Sequence, residues 1–73
     1  MVVLENAEYV HYSSLTETLD IRSNGEEYRI EVIYKNRVGQ TIASKMMLEI
    51  MIHRRVTLHP HLVKCTKYNR NSI

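Results

Sequence analysis

Between Thr18 and Lys35 the chain alternates. In TLDIRSNGEEYRIEVIYK, apolar and charged residues exchange places at every second position on both sides of Asn24-Gly25. A period of two is the pattern of a half-buried strand. Asn-Gly is a two-residue hairpin turn, because both positions tolerate φ > 0. Setting that turn sets the register. Ile21 faces Tyr28 and Leu19 faces Ile30 on one side, while Arg22 faces Glu27 and Asp20 faces Arg29 on the other. Each opposite-charge pair adds roughly 0.2–1 kcal/mol, and a slip of one residue destroys the apolar face and the charge pairs together. Asp20, Arg22, Glu27 and Arg29 therefore read as neighbours on a wet sheet face. Glu26 and Glu27 are adjacent in sequence and so point to opposite faces, which argues against a catalytic carboxylate pair.

Upstream, AEYVHYS reads as a further strand on the strength of Tyr9, Val10 and Tyr12. The spacing of Val3, Ala7 and Val10 also fits a helix. Ser14 and Glu17 imitate a capping box, but too few residues separate them from the hairpin turn to hold a helix.

After Gly39 the period changes. GQTIASKMMLEIMIHRR predicts a helix of about Thr41 to Arg54, with Gly39 ending the preceding strand and Thr41 capping the first turn. Met46, Ile50, Ala43, Met47 and Met51 fall within an arc of about 140°, which should lie on the sheet. Methionines at this spacing read as core rather than as an adaptable binding groove. Leu48 and Ile52 lie outside the arc and form a second apolar stripe. A strand or loop of this chain, or a second copy in a helix-mediated homodimer, has to cover it.

Beyond the helix, HPH makes a turn, since Pro60 pushes His59 to an extended conformation. LVKCTKY then predicts a closing strand, Leu62 to Tyr68. Leu62, Lys64, Thr66 and Tyr68 share one of its faces and His61, Val63, Cys65 and Lys67 the other. Both faces mix apolar and basic residues, so alternation does not say which is buried. NRNSI, residues 69–73, is expected to fray. The fold class is α+β: a small antiparallel sheet in the order β-β-β-α-β, with one helix packed on one face.

Seventy-three residues make a single domain, 1–73. A chain this short buries a limited share of its surface and gains from a partner. One cysteine, Cys65, excludes an internal disulfide and does not suggest a secreted scaffold. No apolar run approaches the ~18 residues of a membrane span, and the N-terminus lacks the layout of a signal peptide. No membrane association and a cytoplasmic location are expected.

The net charge of +2 conceals a division. Residues 1–49 hold eight acids and five bases, giving −3. Residues 50–73 hold five bases (Arg54, Arg55, Lys64, Lys67, Arg70) and no acid, giving +5. The helix dipole accounts for His53, Arg54 and Arg55, because cations are favoured at a helix C-terminus. Lys64, Lys67 and Arg70 have no such reason to be basic.

The leading expectation is a small non-enzymatic protein-binding module, an inhibitor or adaptor of a size common among phage and mobile-element products. Its basic surface, Arg54, Arg55, Lys64, Lys67, Tyr68 and Arg70, would meet an acidic partner surface. The alternative is a nucleic-acid-binding protein contacting phosphates through the same segment, with Tyr68 stacking. No helix-turn-helix, RNP, KH or zinc-finger signature accompanies those bases. A weaker alternative is a metal site at His59, His61 and Cys65 with His53 approaching from the helix, although the spacing is not that of a zinc finger. A Cys65–His nucleophilic pair lacks a third group, no glycine-rich phosphate loop is present, and no cofactor is expected. Cys65 reads instead as a small buried hydrophobe.

Overall fold

A computed structural model describes residues 1–33 and 37–68, with the backbone alone at 37–41 and at Tyr68. Along the chain run β1 (Val2–Glu5), β2 (Ala7–Ser13), β3 (Thr18–Ser23), β4 (Glu26–Val32), α1 (Arg37–His53), β5 (Arg55–Leu58) and β6 (Val63–Tyr68). Strands β2-β3-β4-β6 form one antiparallel sheet, and β1 with β5 forms a two-stranded ribbon. The single helix packs against β5, β2 and β4. This is the expected α+β class, with two four-residue strands, β1 and β5, added to the expected order. Among the described residues, no helix is long and apolar enough to cross a membrane.

The hairpin has the register its turn dictates. Leu19 pairs with Ile30, Ile21 with Tyr28, Asp20 with Arg29 and Arg22 with Glu27. Asn24 and Gly25 both have positive φ, at 51° and 82°. On the outer face, Arg29 grips the two oxygens of Asp20 at 2.8 and 3.0 Å, and Arg22 reaches Glu27 Oε1 at 3.1 Å. On the inner face, Leu19, Ile21 and Ile30 are fully buried, joined by Val32 of β4 and Val56 of β5. AEYVHYS is β2 from end to end. The Ser14–Glu17 stretch is the turn that follows it and carries no helix.

A kink at Asn6, φ 50°, sends the chain out of the ribbon and into the sheet. Asparagine tolerates that left-handed conformation better than most residues. Asn6 Nδ2 donates to Asn24 Oδ1 at 2.7 Å, and Ser23 Oγ donates to the Glu5 carbonyl at 2.6 Å. The kink is thereby pinned to the hairpin tip.

Three sequence expectations change at the helix. It begins at Arg37, so Gly39 lies inside it and Thr41 is not its cap. A glycine inside a helix costs about 1 kcal/mol against alanine, which packing of the later turns can absorb. The buried stripe is Ala43, Met46 and Ile50, flanked by half-buried Ile42 and Met47. Met51 is not core: it sits at the arc's edge, is 73 % exposed and borders the groove that α1 leaves against β2. At the last strand, β4 decides the face that alternation left open. Cys65 pairs with Ile30 and Val63 with Val32, which turns Val63, Cys65 and Lys67 inward and Lys64 and Thr66 outward. Residues 69–73, expected to fray, lie outside the described residues.

Leu19→Ala should destabilise the fold by about 2–5 kcal/mol, since a fully buried leucine leaves a cavity. Urea unfolding followed by circular dichroism measures it; a loss below ~1 kcal/mol would contradict a close-packed inner face. Gly25→Ala should cost about 1–2 kcal/mol through its left-handed backbone alone. An added Cβ at Gly25 meets no atom within 4 Å, so no steric term adds to it.

Candidate functional site

The structure disperses the basic segment. Lys64 and Lys67 occupy opposite faces of β6, and Lys67 Nζ lies 3.4 Å from Glu26. Lys64 stands opposite Glu31 on the outer face of the sheet. Arg55 opens β5 and is exposed. Arg70 falls outside the described residues, and Tyr68 is placed only by its register opposite Glu27.

Arg54 has work within the fold. It follows the last turn of α1 with φ 55°, a position that glycine or asparagine usually fills. Its N–H donates to the Ile50 carbonyl at 2.9 Å and its carbonyl accepts from the Ala7 N–H at 2.8 Å. Its Nε donates to the Ala7 carbonyl at 3.1 Å. These bonds offset the backbone strain and fasten the helix end to β2. Arg54 also lies 3.6 Å from Glu8, but both side chains are more than half exposed and such a pair contributes little.

The outer sheet face is polar throughout. Its cross-strand rows run Ser13–Thr18–Glu31–Lys64, then His11–Asp20–Arg29–Thr66, then Glu8–Arg22–Glu27. Acids and bases alternate across it, so it presents no field of one sign.

The outer face of α1 is different. Leu48, Met51 and Ile52 are 53, 73 and 67 % exposed and follow the i, i+3, i+4 spacing of one stripe. No described strand or loop covers it. Exposed Lys45 and His53 flank it, and Arg55 follows at the helix end. The acid on this part of the helix, Glu49, is engaged: Thr57 N–H donates to Oε1 and Thr57 Oγ1 to Oε2, both at 3.0 Å. The exposed helix surface is thus apolar, with Lys45 and Arg55 on its rim and the Glu49 carboxylate turned toward Thr57. Beside it, Ala7, Tyr9, Ile50, Met51 and the Glu8–Arg54 pair line a groove of about 440 Å³ between β2 and α1. Sequence reading found Leu48 and Ile52 but assigned Met51 to the core and missed Tyr9, which β2 holds on its inner face at the sheet's edge, half exposed.

Cys65 is exposed, against the expectation of a buried residue. Its side chain borders a slot of about 340 Å³ between the ribbon and the sheet, with Val2, Leu4, Tyr28, Leu58, Pro60 and Val63 as the other walls. These apolar neighbours withhold water from the sulfur, and that desolvation pushes the thiol pKa up. A thiol so placed is a poor nucleophile. His59 and His61 stand edge to face at 6.0 Å between ring centres. Among the described residues no three of His, Cys, Asp and Glu gather as a metal-binding group, so the proposed ligands do not converge.

Glu17, which with Ser14 imitates a capping box in the sequence, has a different place in the fold. It is buried, has φ 54°, and its Oε2 has no hydrogen-bond partner. Its backbone carbonyl accepts from Val32 N–H at 3.0 Å, which holds the β2–β3 turn against the end of β4. Partial burial, and after it the charge of Glu17, raises the Tyr12 hydroxyl above its ordinary pKa.

Near neutral pH, Cys65 should react with iodoacetamide several-fold more slowly than in the urea-unfolded chain. The raised pKa leaves less thiolate in the folded state, so the folded rate should climb to its plateau at higher pH than the unfolded rate. Equal rates and equal pH profiles would show that the slot does not desolvate the sulfur. In comparison with known proteins, no family model matches the chain, and neither a curated protein nor a solved structure matches it.

Proposed function

We propose that this chain is a small non-enzymatic protein-binding module that presents the outer face of α1 to an acidic, amphipathic partner surface. The observation that carries the reading is the exposed stripe Leu48, Met51 and Ile52 inside a basic rim, with Glu49 held away by Thr57. Burying that stripe supplies affinity, and the rim steers the approach of an acidic surface. This moves the basic surface expected from the sequence. Arg55 remains part of it and Arg54 stands at its margin, while Lys64 and Lys67 belong to β6.

A self-complementary use of the same stripe fits less well. Two helices crossing antiparallel about Ile50 would set Lys45 of one copy near Arg55 of the other, like against like, which disfavours pairing. The nucleic-acid reading also loses support, because a phosphate track needs its bases along one surface. Here they sit on two faces of β6 and at the helix end, and Lys67 and Arg54 already have acidic neighbours.

Fluorescence anisotropy tests the proposal with three labelled probes. One is a helical peptide with leucines at i, i+3, i+4 and i+7 flanked by glutamates, the second its lysine-flanked counterpart, and the third a mixed-sequence oligonucleotide. The glutamate peptide should bind best, about tenfold or more weaker with Leu48→Glu/Ile52→Glu, as expected for central apolar anchors. Arg55→Glu should weaken it less and flatten its salt dependence. Tighter binding of the oligonucleotide, with affinity falling steeply in salt, would overturn the reading.

A further inference from the structure

The strand edges of this chain are not treated alike. The outer edge of β2 has an irregular register between Tyr9 and His11, and the backbone groups that Ala7 turns outward are both bonded to Arg54. Bulges and covered backbone groups of this kind prevent edge pairing. On β5, the outward N–H of Thr57 is taken by Glu49. On β1, the Glu5 carbonyl is taken by Ser23. The outer edge of β6 has no bulge; among the described residues its safeguards are a covered Val63 N–H and two lysines, of which inward-facing Lys67 is held by Glu26 at 3.4 Å. Its register with β4 runs unbroken from Val63 to Tyr68, and it contains no proline.

The phase of that edge follows from one bond. Ile33 N–H donates to the Leu62 carbonyl at 2.9 Å, continuing the β4–β6 ladder. In an antiparallel ladder bonded positions alternate. Lys64 and Thr66 therefore turn their backbone groups toward β4, and Cys65 and Lys67 turn theirs outward. The next outward amide, Val63 N–H, is already used by the His59 carbonyl at 3.0 Å. Among the described residues, Cys65 and Lys67 are thus the pair on this edge that each offer both a donor and an acceptor.

We propose that this edge pairs with its own copy: β6 meets β6 of a second chain, antiparallel about a two-fold axis at Thr66. In that register Cys65 of each chain faces Lys67 of the partner subunit, and their N–H and C=O groups form four reciprocal hydrogen bonds. Thr66 faces the partner's Thr66 on the outer face, a favoured cross-strand pair. No lysine directly opposes a lysine; Lys67 and the partner's Lys67 are diagonal neighbours on the inner face, each with Glu26 of its own chain at 3.4 Å. The aliphatic stem of the partner's Lys67 lies beside Cys65 at the apolar slot, where its methylenes cover apolar walls and its charged end stays wet. Two four-stranded sheets become one of eight strands. A chain this short gains the buried surface that it lacks alone. The inference is independent of the helix-face proposal, since the pairing leaves the outer face of α1 exposed.

Sedimentation velocity of the full chain at rising concentration, with variants, tests it. The expected result is twice the chain mass for the wild type and for Leu48→Glu/Ile52→Glu, and the single-chain mass for Lys67→Pro. Proline removes one outward donor and fills the edge without touching the β4 ladder. Should Lys67→Pro lose its circular dichroism signature, Thr66→Asp serves instead, setting two carboxylates against each other on an exposed face. Register is read with Cys65→Ser/Thr66→Cys and the oxidant diamide, which accepts two electrons and two protons from two thiols as the disulfide forms. That variant should cross-link across the axis at least tenfold faster than wild-type Cys65. A non-bonded pair places its Cα atoms about 4.5 Å apart, within disulfide reach. A wild type that stays monomeric to millimolar concentration overturns the proposal. So does a dimer that survives both edge variants, or one abolished by the helix double variant alone.

Discussion

The structure depends on the register of one hairpin. Asn24 and Gly25 both adopt positive φ, and a two-residue turn of that kind allows a single alignment of the strands it joins. That alignment puts Leu19, Ile21 and Ile30 on one face and two arginine–carboxylate pairs on the other. The inner face then gives the helix and the ribbon something apolar to cover. The outer face hides most of two carboxylates, with Asp20 only 7 % exposed, and the arginine opposite each offsets part of the desolvation.

Elements whose contacts are local in sequence were legible. The hairpin needed only eighteen residues to declare its turn, alternation and charge pairing, and β2 followed from its tyrosines. The ribbon was not legible, because Val2 pairs with Leu58 and Glu5 with Arg55, partners from far parts of the chain. Four-residue strands carry too short a pattern to announce themselves. The face of β6 was likewise undetermined by its own residues and was fixed by Ile30 and Val32 across the ladder.

The candidate surfaces were half visible. Helical spacing identified Leu48 and Ile52, since periodicity locates a second stripe directly. It placed Met51 wrongly because the width of the buried arc depends on how closely β2 approaches the helix, which the helix sequence does not encode. The acid-free stretch from His53 to Arg70 suggested one basic surface. A strand alternates its side chains between faces, so Lys64 and Lys67, three apart, were bound to separate. What turns the Glu49 carboxylate aside from α1's outer stripe lay elsewhere, in Thr57, whose two donors orient it.

The pairing of β1 with β5 also has a kinetic consequence. The β2-β3-β4 meander closes short loops, and contacts between near neighbours form early in folding. The ribbon brings Val2 to Leu58, so its closure spans most of the chain, and contacts of such separation form late. An element that joins last and has few bonds of its own is also the first to open from the native state. The slot between ribbon and sheet widens in the same event, so the desolvation that raises the Cys65 thiol pKa lasts only while the N-terminal strand holds.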